Sequence, residues 1–181
     1  MNKNIRLIYD HRLDSAFNTL RKSKINKYNK TKILEFDEFI NAKGYSDSRR
    51  AKYLRYLRIL AEQTNVNFNE LTEKGVVSIV SKIKNKDWAE WTVCTTIVLL
   101  KTFMKWLTGK NKVYPECVEW LKPKVKEQSQ VKRKDILEPE DIKKMISCCN
   151  NDMDRLLISL LWEGGIRIGE LVIFIINFII S

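Results

Sequence analysis

The feature that most constrains this chain is a seam of five apolar residues: Val93, Ile97, Leu100, Met104 and Leu107, spaced alternately four and three apart. An α-helix puts that spacing on one face. Trp88, Trp91, Phe103 and Trp106 add aromatic bulk around it. The same period recurs upstream. Ile33, Phe36, Phe39 and Ile40 predict a helix over 31–42 with Glu35, Asp37 and Glu38 turned away from the core, and Gly44 stops it. Ser46 is placed to cap a helix that runs to about Gln63, with Tyr53, Leu57 and Leu60 as its stripe and Leu54 and Ala61 beside it. Leu71-Thr72-Glu73 opens a further segment in which Val76, Ile79, Val80 and Ile83 keep helical spacing, although a β-branched run also suits a strand. The expectation is an all-α fold with four main helices between 31 and 108.

The flanks differ in composition. Residues 1–30 carry Lys3, Arg6, Arg12, Arg21, Lys22, Lys24, Lys27 and Lys30 against Asp10 and Asp14. They read as a basic arm whose first part, with Ile5, Ile8, Leu13, Phe17 and Leu20, supports a short amphipathic helix. The second part, Arg21 to Lys30, has little apolar content and is expected to stay mobile until it meets an anion. Residues 109–135 form a basic linker: a short helix opens at Pro115, and Lys122, Lys124, Lys126, Lys132, Arg133 and Lys134 follow. From 136 to 181 the pattern changes again. Pro139, Glu140 and Asp141 start a helix with Ile142, Met145, Ile146 and Cys149 on its face. Asn151 or Asp152 caps another, bearing Leu156, Leu157, Leu160 and Leu161. The closing run from Val172 to Ile180 is apolar except for Asn177, but about half the length needed to span a bilayer. No membrane span is expected, and no internal repeat is present.

Among 181 residues the formal net charge is +11, an excess that favours a polyanionic partner, nucleic acid before an anionic membrane. Arg49, Lys52 and Arg55 recur every three residues, with Tyr56 one turn from Lys52. Basic residues with an aromatic on one exposed helix face suit phosphate contact and sugar or base packing; a solvated charged face is the alternative. Cys94, Cys117, Cys148 and Cys149 have no metal-binding spacing, and His11 is the sole histidine. Neither a metal nor a cofactor is expected. With no secretory signal at the start, a reducing, cytoplasmic setting is inferred.

One charge is harder to place. Arg167 stands between Ile166 and Ile168, after the apolar run Leu160-Leu161-Trp162 and the Gly164-Gly165 pair. A guanidinium in such surroundings needs an anion. Either Glu170, one turn on, supplies it, or Arg167 faces a cleft that receives one.

Gly165-Ile166-Arg167-Ile168-Gly169-Glu170-Leu171 resembles, position by position, the first conserved block of the tyrosine recombinases, the phage-integrase and Xer family. The helical order from about Thr31 to Leu171 also resembles that family. The resemblance implies a SAM-like four-helix core-binding domain at 31–108, then the first helices of a catalytic domain truncated within 136–181. It implies that Arg167 contacts a scissile phosphate, that Glu170 supports the local geometry, and that duplex DNA and recombinase protomers are the partners. Apart from the resemblance, the basic helix face and the basic linker place expected DNA contacts on Arg49, Lys52, Arg55, Tyr56, Lys132, Arg133 and Lys134. The family's second arginine, hairpin lysine, His-x-x-Arg block and tyrosine nucleophile have no counterpart by motif here. The expected activity is therefore DNA binding in recombination or integration without strand cleavage by this chain alone; a stand-alone DNA-binding module or regulator is the alternative.

Overall fold

The computed structural model describes residues 3–109, 113–125 and 136–173, with side chains described from residue 11 onward. Among the described residues all regular structure is helical. The chain divides into two compact units, Met1–Ser129 and Gln130–Ser181.

The first unit holds α1 (Lys3–Lys22), α2 (Lys27–Ala42), α3 (Asp47–Ala61), α4 (Glu73–Lys84), α5 (Glu90–Leu107) and the short α6 (Glu116–Glu119), with a single 3-10 turn at Phe68–Glu70. The seam expected on α5 is where the core lies. Ile97, Leu100, Phe103 and Met104 are buried there with Ile33 and Phe36 of α2, Leu57 and Leu60 of α3, and Ile79 and Ile83 of α4. Phe103 meets Phe36 edge-on at 5.3 Å and Phe68 at 5.0 Å. Each such side chain contributes roughly 1.5–3 kcal/mol on leaving water. The β-branched segment resolves as helix α4: its four branched residues at helical spacing are all buried on one side, and Thr72 Oγ1 accepts the Gly75 N–H to cap it. Gly44, at φ +76°, turns the chain out of α2 in the left-handed conformation that glycine tolerates best.

Two sequence expectations are corrected. Residues 21–30 are not a free basic segment. Arg21 and Lys22 complete α1, and α2 begins at Lys27, four residues before the expected Thr31. Polar side chains order this segment, where apolar ones are few. Asn26 Oδ1 accepts the Asn29 N–H at 2.7 Å as the α2 cap. Lys30 Nζ donates to the carbonyls of Arg21 at 2.8 Å and Ser23 at 3.1 Å, which satisfies the open end of α1. Asn29, fully buried, donates from Nδ2 to Val66 O at 3.0 Å and accepts the Phe68 N–H at 2.8 Å, tying α2 to the loop after α3.

The second correction is Asp37, which is buried rather than turned to solvent. Arg50 of α3 donates Nη2 to Asp37 Oδ2 at 2.6 Å and Nε to Oδ1 at 3.1 Å, and a third bond runs from Nη1 to Asp47 Oδ1. The hydrogen bond to Asp37 is the first cause holding the Arg50 pKa above its ordinary value. The two-pronged geometry is the strong form of a charge-assisted bond.

In the second unit, α7 (Pro139–Ser147) and α8 (Asp152–Glu163) pack on each other. Glu138 and Asp141 form a reciprocal capping box at the start of α7, and Asn151 Oδ1 accepts the Asp154 N–H at 2.8 Å to start α8. Only Ile142 and Leu171 are buried among this unit's described residues, while Met153, Leu156 and Trp162 remain exposed. Of the expected apolar tail from Val172 to Ile180, all but Val172 and Ile173 lies outside the described residues.

Asn29→Ala strands the buried Phe68 N–H, at a cost of about 1–3 kcal/mol, and frees the partly buried Val66 carbonyl. Chemical denaturation of the variant is expected to show a loss of at least about 1 kcal/mol; an unchanged midpoint would contradict the tie.

Candidate functional site

Helix α1 packs along α3, with Leu13, Ala16, Phe17 and Leu20 turned towards the core. Between the two helices runs a groove of about 790 Å³. His11, Arg12, Ser15, Ala16 and Thr19 line it from α1, and Ser48, Ala51, Lys52, Arg55, Tyr56 and Arg58 from α3. Small side chains at Ala16 and Ala51 leave room between the helices; long cations occupy the walls. Tyr56 is half-buried in the middle of the α3 wall. Lys52 Nζ lies 5.9 Å and the Arg55 guanidinium 6.0 Å from its ring, and Trp88 braces it edge-on at 5.8 Å. A second hollow of about 620 Å³ shares His11, Ser15, Thr19 and Arg58 and adds Lys22 and Asp14. Arg58 bridges both: it pairs with Glu62, and its Nε is buried without a hydrogen-bond partner among the described residues.

The predicted α3 trio does not act as one face. Lys52, Arg55 and Tyr56 point into the groove, but Arg49 turns to the other side of the helix. There its guanidinium stacks 4.4 Å from the Tyr45 ring and 5.5 Å from the Tyr53 ring, and Nε donates to the Tyr53 hydroxyl at 3.2 Å. That hydrogen bond is the first cause raising the Arg49 pKa. Three residues at a period of three sweep roughly 120° around a 3.6-residue helix, so they cannot all face one wall. His11, Arg12, Ser48 and Arg58 were not among the residues singled out individually as DNA contacts. The signal for them is the pairing of α1 with α3, which no local pattern carries.

Lys132, Arg133 and Lys134 lie outside the described residues. Cys94, Cys117, Cys148 and Cys149 are free thiols, and burial pushes the Cys117 thiol pKa up. Among the described residues no group of three or more His, Cys, Asp or Glu could hold a metal, and no helix is long and apolar enough to cross a membrane.

In the second unit, α8 ends at Gly164, where an added Cβ would stand 2.7 Å from the Leu160 carbonyl oxygen, and Gly165 takes φ +56°. The chain then restarts as helical residues 168–173 with Arg167 in front. Its carbonyl accepts the Glu170 and Leu171 N–H groups at 2.8 and 3.0 Å. Glu170 Oε2 accepts the Arg167 backbone N–H at 3.1 Å. Glu170 thus holds the backbone of Arg167 as half of a capping box and leaves its guanidinium alone. The guanidinium is exposed and makes no ion pair among the described residues. Of the two sequence alternatives, the Glu170 ion pair is not formed; Arg167 is an outward-facing cation on a glycine-built turn.

No protein-family model matches the chain, and no curated protein or solved structure matches it.

Arg167→Ala breaks no ion pair among the described residues, so its unfolding free energy is expected to stay within about 0.5 kcal/mol of the unsubstituted chain. A loss of several kcal/mol in urea titration would restore a structural role for the side chain.

Proposed function

We propose that this chain binds double-stranded DNA through the α1–α3 groove, and that it is the DNA-binding N-terminal portion of a site-specific tyrosine recombinase acting in the cytoplasm. The observation that carries the binding is the groove: Arg12, Lys52, Arg55 and Arg58 converge on it from two helices, with Tyr56 between the α3 cations. Phosphate contact by such groups fixes a protein on a duplex without reading sequence, and releases condensed counterions as it does so. Tyr56 offers a ring against which a sugar or base edge packs. The recombinase reading rests on the Gly165–Leu171 motif. In that reading α2 to α5 form the SAM-like core-binding domain, Lys132, Arg133 and Lys134 contact DNA from the tether, and the second unit opens the catalytic domain. The exposed Arg167 guanidinium, with no ion pair among the described residues, is then the cation offered to a scissile phosphate, its backbone N–H bonded to Glu170. Other protomers of the same recombinase are the protein partners. With no other catalytic group of the family matched by motif, the proposed activity is binding without strand cleavage.

Affinity for a perfect duplex is expected to fall steeply with salt. Each phosphate contact removed lowers the log–log slope by about 0.9, so replacing Lys52 and Arg55 together with alanine should lower it by roughly 2. Lys74→Ala, on α4, should leave the slope as it is. A salt-independent affinity, or equal losses from the α3 pair and from Lys74, would overturn the proposal.

A further inference from the structure

On the opposite side of α3 from the groove, α2, α3 and α5 enclose a hollow of about 200 Å³. Sites that enclose a whole drug-sized ligand run to roughly 300–1,000 Å³, so this one has room for a single ring system. Phe36 is at its floor, 1% exposed, with the Tyr53 ring stacked on it at 6.4 Å and 9° and Trp106 tilted against it at 5.1 Å. Phe39 and Tyr45, both half-buried, complete the aromatic wall.

The rim is charged, and with one sign only. Lys43, just after α2, and Lys105 of α5 line it, and no carboxylate does; Arg49 of α3 is not part of the lining but lies over the Tyr45 and Tyr53 rings that are. Each cation already lies over an aromatic face: Lys43 Nζ 4.3 Å from Phe39, the Arg49 guanidinium 4.4 Å from Tyr45, and Lys105 Nζ 5.1 Å from Tyr114. Such contacts are worth about 0.5–1 kcal/mol when exposed, which a phosphate at the rim readily outweighs. The Tyr45 hydroxyl and the Trp106 indole N–H have no hydrogen-bond partner among the described residues, so they are available to the polar edge of a ligand. A gap that merely reflects imperfect packing needs no pair of lysines from two segments at its rim, with an arginine stacked on one of its wall rings. A planar π system attached to a phosphate matches every one of these features.

We propose that this hollow holds one unstacked nucleobase of the bound nucleic acid, with the flanking phosphates on Lys43, Arg49 and Lys105. The inference rests on the nucleic-acid reading above and extends it. Arg49 is one turn from Lys52 on α3, so a backbone held in the groove has a cation leading towards the hollow. A protein so equipped favours duplexes carrying an unpaired base, because the cost of unstacking is already met there.

Fluorescence anisotropy with three labelled duplexes tests this: one perfect, one with a single unpaired thymine, and one with an abasic residue at the same bulge. Base–aromatic stacking predicts about tenfold tighter binding of the thymine bulge than of the abasic bulge. In Tyr45→Ala that ratio should fall to near one; Lys43→Glu, which leaves the aromatic wall in place, should lower it as well. Circular dichroism checks that both variants fold, and the thymine-to-abasic comparison on the unsubstituted protein needs no variant at all. Equal affinity for the two bulges would overturn the proposal, as would tight binding of free thymidine monophosphate with no thymine preference on the duplex. Perfect-duplex binding with a ratio of one removes only this inference. Failure to bind any duplex removes the DNA-binding reading itself.

Discussion

The structure of the first unit turns on the ion pair between Arg50 and Asp37. Both side chains are largely buried, at 12% and 4% exposed, so their separation would leave a charge in the core at a cost of about 3–5 kcal/mol. A pair that costly to break fixes how α3 is rolled against α2. Everything functional on α3 follows from that roll. With Arg50 inward, Leu54, Leu57 and Ala61 continue the buried face. Lys52, Arg55 and Tyr56 are then swung towards α1, Tyr53 towards α2 and α5, and Arg49 onto the Tyr45 ring. One helix thereby lines two cationic concavities, one long and polar, the other small and aromatic.

How legible this was in the sequence depends on how far apart the partners lie. The α5 seam and the α4 stripe are local patterns, and each becomes the helix its spacing dictates, because four or five residues on one face decide the matter. Asp37 was misread because its neighbours Glu35 and Glu38 are solvent-facing acids and its partner stands thirteen residues on, in another helix. Asn29 carries no local signal for the same reason: its partners Val66 and Phe68 lie beyond the whole of α3. Polar residues with distant partners look like surface until the fold supplies the partner. The basic composition of 21–30 hid a second role, since Lys30 and Asn26 close helix ends there.

The candidate site was legible in kind and not in layout. Basic residues and a tyrosine on α3 are plain in the sequence, yet which of them share a wall depends on a roll set by a buried pair. The α1 contribution depends on a helix–helix contact that no spacing within either helix specifies. At Arg167 the glycine pair was read for what it is, a turn that tolerates no side chain at Gly164. The Glu170 carboxylate takes the Arg167 backbone N–H instead of the guanidinium, a choice between two donors of one residue that spacing does not make. A helix start that satisfies its own donors this way leaves the arginine side chain without an ion pair among the described residues.

The central claim is that the α1–α3 groove is the surface that meets nucleic acid. Amide chemical-shift mapping during titration with a perfect duplex tests it residue by residue. The account predicts shifts concentrated on the α1 and α3 walls, at His11, Arg12, Ser15, Thr19, Ser48, Lys52, Arg55 and Tyr56, with α4 residues such as Lys74 and Val77 unmoved. Shifts centred on α4, or spread evenly over the first unit with no maximum along the groove, would contradict it.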